Sequence, residues 1–306
     1  MYIMARVLVA DTIAQSAIDR IKDAGIEVVV RNKDSDGALE EQIKGFDGVI
    51  VRSASKVTKD VIDASDVLKV IVRAGVGLDN VDKEAAKEKG VKVLNTPEAP
   101  TVSVAEMVIS LMFALARNIS QADSSMKNER WEKKKLSGTE LWNKTLGIVG
   151  FGRIGQEVCK RVGGLEMRVL AYDVIDIDQI CNELGAERVD LETIIKESDY
   201  ITLHVPLLPQ TKGMFSEKEF KVMKNTAYLI NTSRGGVVDE RALLKALDDG
   251  DIAGAALDVY EEEPPSDWKL VKHPKLVATP HLASSTSEAQ SRVGELTAEK
   301  IIAELK

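Results

Sequence analysis

Three side chains of different chemical type, Arg234, Glu263 and His281, follow apolar strand-like runs in the C-terminal half of the chain. Arg234 stands between the run Ala227–Thr232 and Gly235-Gly236, where the backbone can turn tightly and leave the side chain projecting. A planar guanidinium in such a place can grip a carboxylate bidentately, which an ammonium cannot. His281 follows Pro280, and its imidazole titrates near neutrality, so it can take or give a proton at working pH. Glu263 precedes Pro264-Pro265 in a stiff acidic loop. A carboxylate beside a histidine favours the imidazolium and fixes its tautomer. Taken singly, each has an ordinary explanation: a surface ion-pair partner, a solvated acidic loop, a structural histidine. Their chemistry has meaning only in combination. Of the other histidines, His204 lies at a strand end before Pro206 and is expected to line a cofactor cleft, while His273 sits before Pro274 in a polar loop facing solvent.

A second constellation occupies Thr145–Asp173. The buried-strand run Leu146-Gly147-Ile148-Val149 leads into Gly150-Phe151-Gly152-Arg153-Ile154-Gly155, a helical pattern with Val158, Val162 and Leu165 on one side, and a second apolar strand ending at Asp173. This is G-x-G-x-x-G in strand–turn–helix–strand context, with an acid 18 residues past the last glycine. Gly150 permits the turn, Gly152 lets the backbone approach a pyrophosphate, and Gly155 lets the helix pack close to the strand. The helix N-terminus offers unpaired N–H groups to phosphates. Asp173 can accept from ribose hydroxyls and would repel a 2′-phosphate, so the cofactor expected is NAD rather than NADP.

The elements around these residues alternate. The spacing predicts strands at 6–10, 27–30, 47–51, 69–73 and 91–94, with helices between them. Asn95-Thr96-Pro97-Glu98-Ala99-Pro100 then breaks the pattern as a crossover or hinge. One long helix is expected over 101–127, then a polar connection to 142. The second half repeats the rhythm to a last strand at 276–278 and a long amphipathic helix over 287–305. Strand–helix alternation predicts an α/β fold of two doubly wound parallel-sheet lobes. The lobes expected are a first one, 1–98 plus 286–306, to which the tail helix returns, and an NAD-binding Rossmann one, 99–285. In open α/β sheets ligands sit beyond the carboxyl ends of the strands, where Arg234, Glu263 and His281 fall.

At 306 residues, 44% hydrophobic and 29% charged, the chain is an ordinary globular one with an ample core that needs no disulfide or metal. A net charge of −8 without a basic stripe argues against nucleic acid. Cys159 and Cys181 read as buried apolar residues in a reducing compartment. The start of the chain lacks a signal-peptide pattern, and the most apolar run, Ala105–Ala116, contains Glu106 and is too short to span a bilayer. A cytoplasmic protein with no membrane partner is expected.

The chain resembles the D-isomer-specific 2-hydroxyacid dehydrogenases. The motifs that carry the resemblance run through nearly its whole length: Val51-Arg52-Ser53-Ala54-Ser55-Lys56-Val57, Val72–Asn80, Asn95-Thr96-Pro97 with Ser103–Glu106, Gly150–Gly155, Leu203-His204-Val205-Pro206-Leu207, Asn231–Glu240, Ala256–Val259 with Glu263-Pro264-Pro265, and Pro280-His281-Leu282-Ala283. The resemblance implies that Arg234 binds and polarises the substrate, Glu263 supports the histidine and His281 is the acid–base. It implies cofactor contacts from Val76, Arg153, Ile154, Asp173, Val205, Thr232, Ser233, Asp258 and Ser284, besides the three glycines and His204. It implies Rossmann-like lobes with the active site in the cleft between them, a discontinuous first lobe that is flavodoxin-like and substrate-binding, and a homodimer built around the long helix near Thr101.

Within the family the resemblance points to members that oxidise 3-phosphoglycerate to 3-phosphohydroxypyruvate for serine synthesis. Arg52 and Arg73 would supply the phosphate site, Ser53, Ala74 and Gly75 would also touch the substrate, and Arg234 and His281 would stand at the reacting end. Three positions depart from the common pattern: Pro100 for asparagine, Val76 for threonine and Lys133 for arginine. The chain stops at Lys306, and the regulatory C-terminal domain of longer relatives, with its serine feedback, is expected to be absent. Other readings stay open: a glyoxylate or hydroxypyruvate reductase, or a dinucleotide-sensing corepressor on the same fold.

Overall fold

Short runs of valine, isoleucine and leucine, four or five residues long and bounded by glycine, proline or acids, set the strands. A computed structural model describes residues 4–32 and 36–306. The chain falls into two compact units, one made of residues up to Pro100 together with Ser285–Lys306, the other of Thr101–Ser284. The first contains β1 (Arg6–Val9), α1 (Gln15–Asp23), β2 (Glu27–Val30), α2 (Leu39–Gln42), β3 (Gly48–Val51), α3 (Lys59–Ala64), β4 (Val70–Arg73), α4 (Lys83–Glu88) and β5 (Lys92–Asn95). The second begins with α5 (Thr101–Ala116) and α6 (Ile119–Lys127). It continues with β6 (Thr145–Val149), α7 (Arg153–Val162), β7 (Arg168–Tyr172), α8 (Asp178–Leu184), β8 (Glu187–Arg188), α9 (Leu191–Glu197) and β9 (Tyr200–Leu203). Its last elements are α10 (Glu217–Val222), β10 (Tyr228–Asn231), α11 (Glu240–Asp249), β11 (Gly254–Leu257) and β12 (Leu276–Ala278). The chain then returns to the first unit as α12 (Ser287–Leu305).

The first unit is a five-stranded parallel sheet in the order β2-β1-β3-β4-β5. All four residues of β3 are buried, as a strand covered on both faces requires. Residues of alternate parity feed separate cores. Val7, Val9, Ile50, Val70 and Val72 meet α1 and α12 through Ala17, Ile21, Val293 and Ile301. Leu8, Val49, Val51 and Ile71 meet α2, α3 and α4 through Leu39, Ile43, Val61, Ile62 and Ala86. Helix α12 lies close because Gly48 has no side chain: a Cβ there would stand 2.9 Å from Ile301 Cδ1.

The second unit is a seven-stranded parallel sheet in the order β12-β11-β10-β9-β6-β7-β8. The chain builds outward from β6 through β7 to β8, then returns to add β9, β10, β11 and β12 on the other side. The order therefore reverses between β6 and β9, a topological switch point. Two-residue β8 went unpredicted, since Glu187-Arg188 is charged, exposed and without strand patterning.

The single helix expected over 101–127 is two helices bent by 64°. The break falls at Asn118, which adopts a left-handed φ of 51°, a conformation asparagine tolerates. Its cause lies in the later connection. The Thr139 N–H donates to Ala116 O at 2.8 Å, and Gly138 packs so closely that a Cβ there would stand 2.3 Å from that same oxygen. Among the described residues no single helix is long and apolar enough to cross a membrane, and the apolar side of α5 is buried in the core with β6, β10 and β11.

Candidate active site

The switch point brings the glycine turn after β6 against the chain leaving β9. Gly150 has φ +92°, and a Cβ on it would lie 2.5 Å from His204 O. Gly155 is equally constrained, since a Cβ would stand 2.4 Å from Gly150 O and 3.0 Å from Ile148 Cγ2. Gly152 differs. It has an ordinary negative φ of −74°, and a Cβ on it would meet nothing within 4 Å. Protein packing accounts for the first and third glycines, while the middle one borders open space at the N-terminus of α7. That terminus has no side-chain cap, so its first N–H groups are not satisfied by a capping residue. At the end of β7, Asp173 accepts from Phe151 N at 2.7 Å and Ile175 N at 3.3 Å, leaving lone pairs on a carboxylate held over the turn. Along the same sheet edge, Thr232 Oγ1 is buried without a hydrogen-bond partner among the described residues. The open space at Gly152, the uncapped helix end and this orphaned hydroxyl fit a dinucleotide running along the strand ends.

His204, expected beside that cofactor, is partly buried with Nε2 3.0 Å from Thr202 Oγ1. Burial pushes its imidazole down to about 3, so it stays neutral at any working pH and cannot serve as the proton carrier.

The remaining strand ends carry the reactive side chains. After β10, buried Asn231 shapes the turn: its Nδ2 donates to Arg234 O at 2.9 Å, and its Oδ1 accepts from Ser233 N at 3.0 Å and Ser233 Oγ at 2.7 Å. Gly235 then passes so near the loop after β11 that a Cβ would overlap Tyr260 O at 1.7 Å. The Tyr260 N–H donates to Glu263 Oε1 at 3.1 Å, and the Tyr260 hydroxyl donates to Leu257 O and Thr279 O at 3.2 and 3.1 Å. One tyrosine thus ties the segment bearing Arg234, the loop bearing Glu263 and the end of β12. His281 follows with a left-handed φ of 54°, costing on the order of 1 kcal/mol for a residue with a Cβ. Its Nδ1 lies 2.7 Å from Glu263 Oε2. An ionised carboxylate only accepts, so Nδ1 carries the hydrogen and Nε2 keeps its lone pair. Both side chains remain partly exposed, at 47% and 38%. The arrangement can abstract or return a proton at Nε2 while Glu263 steadies the charge.

Asp258, expected as a cofactor contact, stands at the end of β11. It is fully buried, and its carboxylate accepts from Thr279 Oγ1, Leu282 N and Ala283 N. The remaining expected cofactor residues, Arg153, Ile154, Val205, Ser233 and Ser284, lie in the second unit on the turns just described or beside them, and Arg153 is exposed.

Arg52, Ser53, Arg73, Ala74, Gly75 and Val76 belong to the first unit, at the carboxyl ends of the adjacent strands β3 and β4. Asp11 shapes the turn at Arg52: it accepts from Arg52 N at 2.6 Å and from Ser55 N and Oγ at 3.1 and 2.7 Å. The Arg73 guanidinium folds over Gly75, whose φ is +144° and where a Cβ would overlap Nη1 at 1.5 Å. Ala74 is expected to touch the substrate. Its methyl is buried in the core with Val72 and Ala99 and its N–H donates to Val51 O, so it offers a ligand only its carbonyl. Ser53 is exposed, Pro100 is buried just before α5, and Lys133 is exposed in the connection after α6.

Sequence reasoning missed Asp11, Asn231 and Tyr260 as residues that shape these turns. A polar side chain directly after an apolar strand was the available signal for the first two.

A family model described as "D-isomer specific 2-hydroxyacid dehydrogenase, NAD binding domain" matches residues 109–283. The chain is 46% identical over 299 residues to a D-3-phosphoglycerate dehydrogenase of Methanocaldococcus jannaschii, covering 97% of this chain and 57% of that protein. It thus spans little more than half the length of such relatives. It is 48% identical to a hydroxypyruvate reductase of Thermotoga maritima, covering 92% of this chain and 91% of that one. Among solved structures, a D-lactate dehydrogenase from Aquifex aeolicus complexed with NAD and lactic acid superposes with a TM-score of 0.86 at 28% identity, covering 97% of this chain and 94% of that one.

Proposed function

The chain belongs to the D-isomer specific 2-hydroxyacid dehydrogenase family, and from that premise we propose that it oxidises 3-phosphoglycerate to 3-phosphohydroxypyruvate with NAD. The observation that carries the catalytic part is the His281–Glu263 pair, closed at 2.7 Å, with no bond to Nε2 among the described residues. Bound NAD supplies the hydride acceptor. In the oxidative direction His281 Nε2 takes the proton of the C2 hydroxyl, and Glu263 stabilises the imidazolium that forms. In reduction the same nitrogen returns the proton to the new alkoxide. Arg234 holds the α-carboxylate and draws charge from the C2 oxygen.

The substrate assignment rests on the 46% identity to a phosphoglycerate dehydrogenase and on Arg52 and Arg73 as cations for the far phosphate. The 48% identity to a hydroxypyruvate reductase of similar length favours a second reading, reduction of an unphosphorylated 2-oxo acid. The two readings separate on kcat/KM for phosphohydroxypyruvate over hydroxypyruvate, followed by NADH absorbance. The expected ratio is well above ten in the wild type and collapses in Arg52→Ala and Arg73→Ala. A wild-type ratio near one, or one unchanged in both variants, hands the assignment to the reductase.

The proposal extends to a homodimer formed through the second unit. Support comes from Phe113, Ile119, Met126, Trp131 and Trp142, large apolar side chains left exposed within 30 residues of chain.

A further inference from the structure

We propose that Glu240 is a positioning residue for Glu263, tying the acidic loop that carries this carboxylate to the first turn of α11. The inference rests on the reading of His281 and Glu263 as the proton-transfer pair. Glu240 opens α11, on the segment that leaves the turn of Arg234. It does not cap that helix, because Asp239 does: the Asp239 carboxylate accepts from Arg241 N at 3.0 Å and from Ala242 N at 2.9 Å. The Glu240 side chain instead crosses to the loop after β11, where its Oε1 accepts from Glu261 N at 2.6 Å. A longer bond runs back, from Glu240 N to Glu261 Oε1 at 3.5 Å. Glu261, Glu262 and Glu263 are consecutive exposed acids, and their mutual repulsion pushes such a loop toward solvent. Among the described residues, Glu261 N is the one backbone N–H of these acids with a partner. Two residues beyond that tether, Glu263 accepts from Tyr260 N at 3.1 Å and holds His281 Nδ1 at 2.7 Å. Burial raises the Glu240 carboxyl above its ordinary pKa, the charges of Glu261, Asp239 and Glu263 add to the rise, and the Glu261 N–H works against it. What this position gives the loop is therefore an acceptor, and the negative charge is a cost. If the tether is released, the loop can swing out and Glu263 can leave Nδ1.

Gln is the informative replacement. It keeps an acceptor oxygen at the same reach and removes the charge, whereas Ala removes both. In the full chain, Glu240→Ala should speed amide hydrogen exchange at Glu261 about tenfold or more. It should lower kcat roughly 10- to 100-fold, the scale of a reacting group displaced by up to an ångström. KM and the NADH dissociation constant should stay within about threefold, since Gly235 still packs on Tyr260 O and Arg234 keeps its turn. Glu240→Gln should match wild type in every readout. Glu240→Asp, one methylene short of the Glu261 N–H, should fall between the two, and decides the matter if Glu240→Ala does not fold. In a Glu263→Gln background, Glu240→Ala should cost no further kcat, because it acts through Glu263. Exchange at Glu261 that stays at the wild-type rate in Glu240→Ala overturns the proposal. So does a Glu240→Gln as slow as Glu240→Ala, which would make the charge rather than the bond the working feature, and so does a loss that multiplies with that of Glu263→Gln. Should wild type turn over no 2-hydroxy or 2-oxo acid, the functional reading fails, and the exchange rates alone still decide whether Glu240 holds the loop.

Discussion

His281 and His204 are the same side chain put to opposite uses by their surroundings. His281 keeps 47% of its side-chain surface and a carboxylate 2.7 Å from Nδ1. The His204 ring bonds to the Thr202 hydroxyl, and burial drives its pKa down to about 3. Replacing His281 by Ala should therefore act mainly on kcat, with a loss of roughly 10²–10⁴-fold typical of a general acid–base. Wild-type turnover in that variant would remove the role. Arg234→Lys should also be severe, because a point charge cannot reproduce the planar fork. His204 should register in stability instead. Its folded pKa lies below the unfolded value of about 6.5, so below that pH the unfolded chain binds the extra proton. Stability contributed by neutral His204 is full above about pH 6.5 and falls as pH drops toward 3, with a slope of at most about 1.4 kcal/mol per pH unit. His204→Gln should flatten that part of the stability–pH curve in urea titrations, and an unchanged slope would show that the ring is not the group that titrates.

At the scale of elements, the glycine turn separates packing from ligand binding. A methyl on Gly155 would meet Gly150 O at 2.4 Å in a helix pressed against its strand, so Gly155→Ala should destabilise the protein by about 1–3 kcal/mol. A methyl on Gly152 meets nothing, so Gly152→Ala should melt near wild type yet bind NADH at least tenfold more weakly, because it fills the space proposed for the pyrophosphate. Equal NADH affinity in Gly152→Ala would mean that the cofactor does not pass that way. The strand–turn–helix unit was readable in the sequence because each of its constraints is local: an apolar run, glycines at fixed spacing, an apolar helix face and a terminal acid. The break at Asn118 was not, because residues on both sides continue one apolar period and the bend is imposed by Gly138 and Thr139 packing on the end of α5. Likewise the types of Arg234, Glu263 and His281 were readable, but their closure was not. It depends on Asn231, which shapes its own turn, and on Asp258 and Tyr260, whose bonds reach a turn 19 to 25 residues away and leave no periodic trace.

For the whole molecule, the alternation of strand and helix revealed the α/β class, while strand order came only from the structure, since pairing partners in a parallel sheet are not encoded by local pattern. The two units carry separate cores on both faces of separate sheets. The glycine turn, Asp173, Thr232 and the His281–Glu263 pair all belong to the second. A ligand that binds the native state stabilises it by about 2.7 kcal/mol at a free concentration 100 times its dissociation constant. That gain should be read where the ligand sits if the units open separately. NADH at such a concentration should therefore slow amide exchange about 10²-fold in β6, β9 and β10, whose buried amides exchange only when the second unit opens. Edge strand β2 of the first unit, with its partly exposed residues, should exchange at nearly its unliganded rate. If β2 and β6 were slowed by the same factor, the two units would open as one cooperative body. If neither were slowed at saturating NADH, the second unit would not be where the cofactor binds.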